Sequence, residues 1–239
     1  MTVDNSSAEM HTTVFAIAES PRNANVLWVG TDDGNVQLSR NGGTSWTNVA
    51  GNIPGLPKNA WVSSVEAGHF DEGTVYATFD LHTFGDMRPY AYKSTDYGRT
   101  WTPLIALDAP VRGYAHVLKE DLVNRDLLFL GTELGLFIST DGGAHWAHYK
   151  GGELPNVAVR DLAIHPRDND LVIATHGRGT LSPEDPMNLD QRTRPTLKER
   201  FEFALQAPCD WILKASCVKY ATFLAMFRLL PQESWDSPF

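Results

Sequence analysis

Three carboxylates lie at the ends of predicted strands, where loops begin. They are Asp33 in GTDDG, Asp80 in FDLHTFGDMRPY and Glu133 in GTELG. Two carboxyl groups about 5–9.5 Å apart can act as the acid and the base, or the acid and the nucleophile, of glycoside hydrolysis. The same short segments also suit ordinary hairpin turns, where Asp is favoured because its side chain bonds to nearby backbone. The sequence leaves the catalytic and the structural interpretation open for all three.

Further side chains in the same class of loops have the chemistry of ligand contacts. Aromatic rings offer a flat apolar surface with a polar edge, and arginine and histidine donate hydrogen bonds to polar ligands. We therefore treat these residues as candidates for ligand binding. They are Trp61, Arg112, Tyr114, Arg160, His176 and Arg178.

Metal-binding patterns are weak throughout the sequence. His145 and His148 have H-x-x-H spacing, but on a strand this spacing puts the two rings on opposite faces. Cys209 and Cys217 lack the spacing of a zinc site and leave only a single disulfide open. We predict no metal and no cofactor.

The charge and sequence of the chain argue against a nucleic-acid partner and against a membrane span. The chain has 239 residues, 42% of them apolar, and a formal net charge of −9, which argues against binding to the phosphates of nucleic acid. No signal peptide is legible at the N-terminus, so compartment stays open. The apolar run at 211–230 is interrupted by Lys214, Lys219 and Arg228, which argues against a membrane span.

Four segments repeat along the chain with a period of roughly 45–50 residues. They begin at Val14, Val62, Ala115 and Val159, and each consists of a strand, a polar turn and a second strand rich in β-branched and aromatic residues. The first three continue into a third strand, a turn and a fourth strand. Four strands per repeat of this length predict the blades of a β-propeller.

The turn between the third and fourth strands is written three times in nearly the same form. Its Asp or Asn can accept hydrogen bonds from the backbone, its Gly allows a positive φ, and its Trp is expected to pack on the layer beneath. The copies comprise Ser39, Asn41, Gly43 and Trp46; Ser94, Asp96, Gly98 and Trp101; and Ser139, Asp141, Gly143 and Trp146.

This pattern resembles the Asp-box, or BNR, repeat of the sialidase-like superfamily, and VLWVGTDDGNVQLSRNGGTSW with ATHGRG is most similar to bacterial glycosyl-hydrolase-like and sortilin-like BNR proteins. The resemblance covers residues 12–179 and implies a propeller from an exported or periplasmic parent protein. A sialidase would also need an arginine triad and a Tyr–Glu pair. Arg112, Arg160 and Arg178 are available, but no matching motif surrounds them.

We therefore predict an all-β chain, a partial Asp-box propeller of three complete blades and the initial hairpin of a fourth. The blades are expected at about 12–52, 60–105, 113–151 and 157–179, after an N-terminal extension at 1–11. Residues 180–239 diverge from the repeat and are expected to form a short α-helical tail, with helices at 197–206 and 211–230. Because the repeat breaks within a blade, we interpret this tail as a segment that is not a native element of the propeller.

The predicted strand order places the three repeated turns on one rim of the propeller and the candidate residues on the other. We expect a non-catalytic module, or a fragment of one, that binds a protein or glycan on the loop-rich rim. The alternative is a fragment of a glycoside hydrolase that lacks part of its active site. A third is an assembly factor that holds a protein partner, and the open propeller edges are available for oligomerisation.

Overall fold

The computed structural model describes residues 13–106, 108–150, 156–167, 169–176 and 180–181, which form four antiparallel sheets. Sheet 1 contains β1 Val14–Ser20, β2 Asn23–Thr31, β3 Val36–Ser39 and β4 Thr47–Asn48. Sheet 2 contains β5 Trp61–Ala67, β6 Val75–Leu81, β7 Asp86–Ser94 and β8 Thr102–Pro103. Sheet 3 contains β9 Ala115–Glu120, β10 Leu128–Thr132, β11 Gly135–Ser139 and β12 Ala147–His148. Sheet 4 contains β13 Val159–Ile164, β14 Leu171–Thr175 and β15 Thr180–Leu181. Two short 3₁₀ helices lie at Ala50–Asn52 and His82–Phe84.

The strands of each sheet follow one another in chain order, and the first strands of successive sheets pack together, β1 on β5, β5 on β9 and β9 on β13. This arrangement is a partial β-propeller and confirms the predicted fold class. Sheet 4 extends beyond its initial hairpin, because the two residues of β15 pair with β14 before Pro183.

Apolar layers between neighbouring sheets form the core. A large side chain on the second strand of each complete sheet fills the layer toward the next sheet: Trp28, Tyr76 and Phe129. The close approach of sheets 1 and 2 also requires Gly30, because a Cβ added there would lie 2.3 Å from Cγ1 of Val62. Packing between neighbouring sheets therefore forms the core of the fold.

The three repeated turns, at residues 39–46, 94–101 and 139–146, have the same internal bonds and are called the Ser–Asp turns below. In the second, the Gly98 amide donates to Ser94 Oγ at 2.9 Å, and the Thr100 amide donates to Asp96 Oδ1 at 2.9 Å. The glycine φ angles are 86° at Gly43, 74° at Gly98 and 96° at Gly143, as the motif predicts. Each turn is also tied to the hairpin formed by the first two strands of its sheet, by backbone bonds from Gly42 to Asn25, Tyr97 to Gly73 and Gly142 to Asp126.

The tryptophans that end these turns do not all pack alike. Trp101 and Trp146 are buried against the preceding sheet, and Trp146 Nε1 donates to the carbonyl of Leu104 at 2.9 Å. The prediction that Trp46 packs on a layer beneath is wrong, because this ring is exposed. Within the described residues, sheet 1 is first in the row of sheets, so its tryptophan has no preceding sheet to meet.

Several predictions fall on residues outside the described ranges. These are the helices at 197–206 and 211–230, the extension at 1–11 and the ligand candidate Arg178. Within the described ranges, no helix reaches the length and apolar character of a membrane span.

Candidate functional site

Side chains from sheets 2, 3 and 4 meet on the rim opposite the Ser–Asp turns. They come from the ends of β6 and β10, the starts of β9 and β13, and the end of β14. Five of the nine candidates from the sequence take part, joined by two histidines. We call this set the rim cluster: Asp80, His82, Tyr114, His116, Glu133, Arg160 and His176.

Asp80 begins the cluster at the end of β6. Its carboxylate is buried and lies 2.7 and 2.8 Å from Nδ1 of His82, while the His82 amide donates to Oδ1 at 2.8 Å. The 3₁₀ turn His82–Phe84 places the imidazole directly over this carboxylate. Asp80 therefore fixes the orientation of a half-buried histidine ring.

Tyr114 connects this pair to sheet 3. Its ring stacks on His82 with centroids 4.6 Å apart and meets His116 edge-on at 4.8 Å. Tyr114 is itself buried, and burial together with the neighbouring Glu133 carboxylate raises the pKa of its hydroxyl. The three rings form an aromatic floor whose accessible portion is the His82 ring.

Glu133 lies at the centre of the cluster, just after β10. His116 Nε2 is 3.0 Å from Glu133 Oε2. Burial lowers the pKa of His116 despite its bond to Glu133, so the neutral ring donates its Nε2 proton to the carboxylate. Partial burial raises the pKa of Glu133, but the His116 bond, Tyr114 and the Arg160 charge outweigh it and lower that pKa overall. Glu133 is ionised at neutral pH.

Arg160 extends the cluster to sheet 4. Its Nη2 lies 3.3 Å from Glu133 Oε2 and 3.4 Å from Nδ1 of His176. Both Arg160 and His176 are exposed, whereas the groups that hold Glu133 from below are buried. A ligand on this rim would therefore meet an arginine, a carboxylate and two imidazoles whose supports are already in position.

Three further candidates within the described residues make other contacts. Asp33 accepts a hydrogen bond from the Thr31 hydroxyl within its own turn. Trp61 pairs with Asp80 in the strand register, but its ring packs edge-on against Phe15 at 4.7 Å. Arg112 donates to the carbonyls of Ala109 and Val111 in its own loop, at 2.7 and 3.0 Å.

The cluster also includes His116, which sequence analysis did not select, and His82, which was expected on this rim as part of the same loop as Asp80. His116 follows Tyr114 by two positions, so on an ideal strand both would point to one face. This spacing is the sequence signal from which His116 could have been predicted to lie beside Tyr114. His82 lies two residues after Asp80, a spacing that suits a side chain returning to the carboxylate.

Metal ligation has no support among the residues the structure describes, since they contain no group of three or more His, Cys, Asp or Glu side chains suited to hold an ion. His145, from the H-x-x-H pair, instead bonds through Nδ1 to Asp141 Oδ2 at 2.6 Å, and His148 stacks on Phe137 with centroids 4.7 Å apart.

Comparison with solved structures agrees with the sheet arrangement. An ancestral GH74 enzyme superposes with a TM-score of 0.55 at 22% identity, over 69% of this chain and 22% of the enzyme. The fold is that of a β-propeller. The extracellular domain of a one-component system from B. thetaiotaomicron matches this propeller with a TM-score of 0.53 at 17% identity, over 80% of this chain and 24% of that chain.

A third propeller, YCF48 bound to D1 peptide, matches with a TM-score of 0.50 at 18% identity, over 72% of this chain and 52% of that chain. The present propeller thus spans between about a fifth and a half of these structures. At such identities the likeness concerns the fold alone. No family model and no curated protein matches the chain.

Proposed function

We propose that this chain is a non-catalytic module, or part of one, that binds a protein or glycan ligand at the rim cluster. One observation carries the proposal. Arg160 and Glu133, from different sheets, form a partly exposed ion pair that rests on buried His116 and Tyr114. An organised polar pair above an aromatic floor is suited to hydroxyl or amide groups, which both donate and accept hydrogen bonds.

The ionisation state of Glu133 suits a hydrogen-bond acceptor and not a general acid. A glycosidic general acid needs a raised pKa so that it carries a proton at neutral pH. The pKa of Glu133 is lowered instead, and His116 is neutral. Glu133 is therefore an acceptor for ligand donors, and Arg160 is the matching donor.

The binding test compares two arginines on opposite rims. Glycan and peptide arrays probed with the full chain would identify a ligand, and calorimetry would then measure its affinity for Arg160→Ala and Arg125→Ala. Arg125 is the matched control because it is exposed and ion-paired, with Asp71 at 3.2 Å, in the β9–β10 turn on the opposite rim.

We expect Arg160→Ala to weaken binding about tenfold or more, since a hydrogen bond to a charged group contributes about 1.5–3 kcal/mol. Arg125→Ala should bind as the native chain does. Equal affinities for all three proteins would contradict the proposal.

The second candidate is a glycoside hydrolase, which is favoured by one specific feature. Two carboxylates, Asp80 and Glu133, belong to one connected cluster, and each is held by a histidine. The similarity to a GH74 enzyme gives this candidate a fold precedent. It predicts that oligosaccharide hydrolysis occurs and is lost in Asp80→Asn and Glu133→Gln, with Asp33→Asn as the control.

The peptide arm of the screen also tests the assembly-factor interpretation, in which the cluster holds a protein segment. A solved propeller of this fold binds a peptide, which supports that choice of probe. The extracellular domain among the similar structures likewise supports an exported parent protein. Secretion of a fusion of the parent gene to a reporter enzyme would test that assignment.

A further inference from the structure

Sheet 1 has an apolar face that every later sheet buries. Four residues occupy the same position on the first strands of the four sheets, as judged by the second-strand residues with which they pair. They are Ile17 with Val29, Val65 with Ala77, Leu118 with Leu130 and Leu162 with Ile173. Val65, Leu118 and Leu162 are 5%, 1% and 2% exposed, whereas Ile17 is 70% exposed. This position thus lies in the core in sheets 2, 3 and 4 but at the surface in sheet 1.

The tryptophan of the Ser–Asp turn repeats this contrast. Trp101 and Trp146 are 6% and 1% exposed, but Trp46 is 43% exposed. Each of the two later turns is covered by a residue of the preceding sheet, the one three positions after that sheet's tryptophan. A Cβ on Gly98 would meet Val49, and a Cβ on Gly143 would meet Leu104.

Sheet 4 is the last sheet in the row, and no other sheet of the described residues covers its complementary face. Its Ala163 pairs with Val172 at the step where Ala18 pairs with Trp28 and Glu66 with Tyr76. Trp28 and Tyr76 are fully buried by the following sheet. In sheet 4, Ala163 is exposed and Val172 is half-buried, with small side chains at both positions.

We infer that these two faces join in a head-to-tail contact between two copies of this chain, with sheet 4 of one copy packing on sheet 1 of the other. The contact continues the interface that already relates sheets 1 to 2, 2 to 3 and 3 to 4. Both halves of it are present on one chain, and no new surface is required.

Closure supports a second copy as the occupant. The four described sheets of two copies amount to eight, within the range of about 4–8 blades typical of propellers. Such a ring uses the heterologous contact twice and removes both apolar faces and the unpaired ends of the row.

A complementation experiment tests this inference on the full chain. Ile17→Lys blocks the sheet 1 face, and Ala163→Arg blocks the sheet 4 face. Both positions are exposed within one copy, so circular dichroism should report native folding for each. Val123→Lys is the matched control, because Val123 is 69% exposed in a turn outside both faces.

Sedimentation velocity should find the native chain and Val123→Lys as dimers, and Ile17→Lys and Ala163→Arg alone as monomers. An equimolar mixture of the two blocked variants should recover a dimer, because one intact sheet 4 face then meets one intact sheet 1 face. This recovery is specific to a head-to-tail contact.

Three results would overturn the inference. The first is a native chain that is monomeric at every concentration, which would mean that another segment or another partner covers sheet 1. The second is an Ala163→Arg variant that still dimerises, which would mean that sheet 1 faces pack on each other. The third is a mixture that stays monomeric, which would mean that the two faces do not meet.

Discussion

Asp96 illustrates how a single side chain closes a blade. Its carboxylate accepts bonds from the Ser94 hydroxyl at 2.9 Å, the Thr100 amide at 2.9 Å and the Thr100 hydroxyl at 2.6 Å. The Thr100 side chain and amide lower the pKa of Asp96 to about 2. In sheet 1, Asn41 has the same position and accepts from the Ser45 amide at 2.9 Å, so an uncharged acceptor closes that turn.

We therefore expect Asp96→Ala to lower the free energy of unfolding by about 1–3 kcal/mol, because it leaves backbone and hydroxyl donors without a partner. Asp96→Asn should stay within about 1 kcal/mol of the native chain, since an amide oxygen preserves the main acceptor. Urea denaturation followed by tryptophan fluorescence measures both. A loss in Asp96→Asn as large as in Asp96→Ala would show that the charge itself is required.

The rim cluster shows where residue-level prediction ends. Asp80, Tyr114, Glu133, Arg160 and His176 were identifiable because each follows or precedes a predicted strand on the loop-rich rim. Their mutual contacts depend on how three sheets pack, and sequence spacing does not encode that distance. His116 was missed for the same reason, since its role appears only once Glu133 is 3.0 Å away.

Between sheets 2 and 3 lies a buried polar network that stabilises one inter-sheet contact. Glu120 is almost fully buried and accepts from the Tyr76 hydroxyl at 2.7 Å and the His69 amide at 2.5 Å. Glu66 is bonded by Lys119 at 2.6 Å and by His69 at 3.2 Å. The network joins β5 and β6 to β9, so it acts at the scale of whole elements.

Removing either partner of the Glu120–Tyr76 bond should loosen the contact between sheets 2 and 3. We expect Glu120→Gln and Tyr76→Phe each to lower the free energy of unfolding by about 1–3 kcal/mol, because each leaves a buried polar atom poorly paired. The double variant should cost less than the sum of the two, and a double-mutant cycle measures the coupling. Strict additivity would mean that the bond does not link the sheets.

The pH dependence of this network follows from His69. The hydrogen bond to Glu66 raises the pKa of His69 despite the opposing effect of burial. A raised pKa in the folded state adds stability that is fully present below the unfolded pKa, near 6.5, and is lost as pH rises through the folded pKa. Native chain and His69→Gln should differ most below pH 6.5 and converge above the raised pKa. A constant difference in thermal midpoint would contradict this assignment.

Element-level prediction succeeded where signals were local and failed where they depended on neighbours. The Ser–Asp turns and alternating strands are set by a few adjacent residues, so the blades were visible in the sequence. Trp46 carries the same local signal as Trp101, yet it is exposed. Its burial depends on an adjacent sheet, which its own segment cannot report.

At the scale of the whole molecule, each sheet packs chiefly on its neighbours in the row, so stability should vary with position. In the variant Ile17→Lys, which the inferred contact predicts to be monomeric, we expect amides of sheets 2 and 3 to exchange more slowly than those of sheets 1 and 4, because the central sheets are covered on both faces. Hydrogen exchange with mass spectrometry measures this order. Association of the native chain should slow exchange in the outer sheets, and uniform protection in the variant would contradict the prediction.

A ligand that binds the Arg160–Glu133 pair would also stabilise the contact between two sheets. Glu133 belongs to sheet 3 and Arg160 to sheet 4, so any molecule that grips both bridges the seam between a well-packed sheet and a more exposed one. Such a ligand would slow the separation of sheet 4 from sheet 3. Its binding would therefore be detectable as resistance to proteolysis along β13 and β14, including residues that the ligand does not contact.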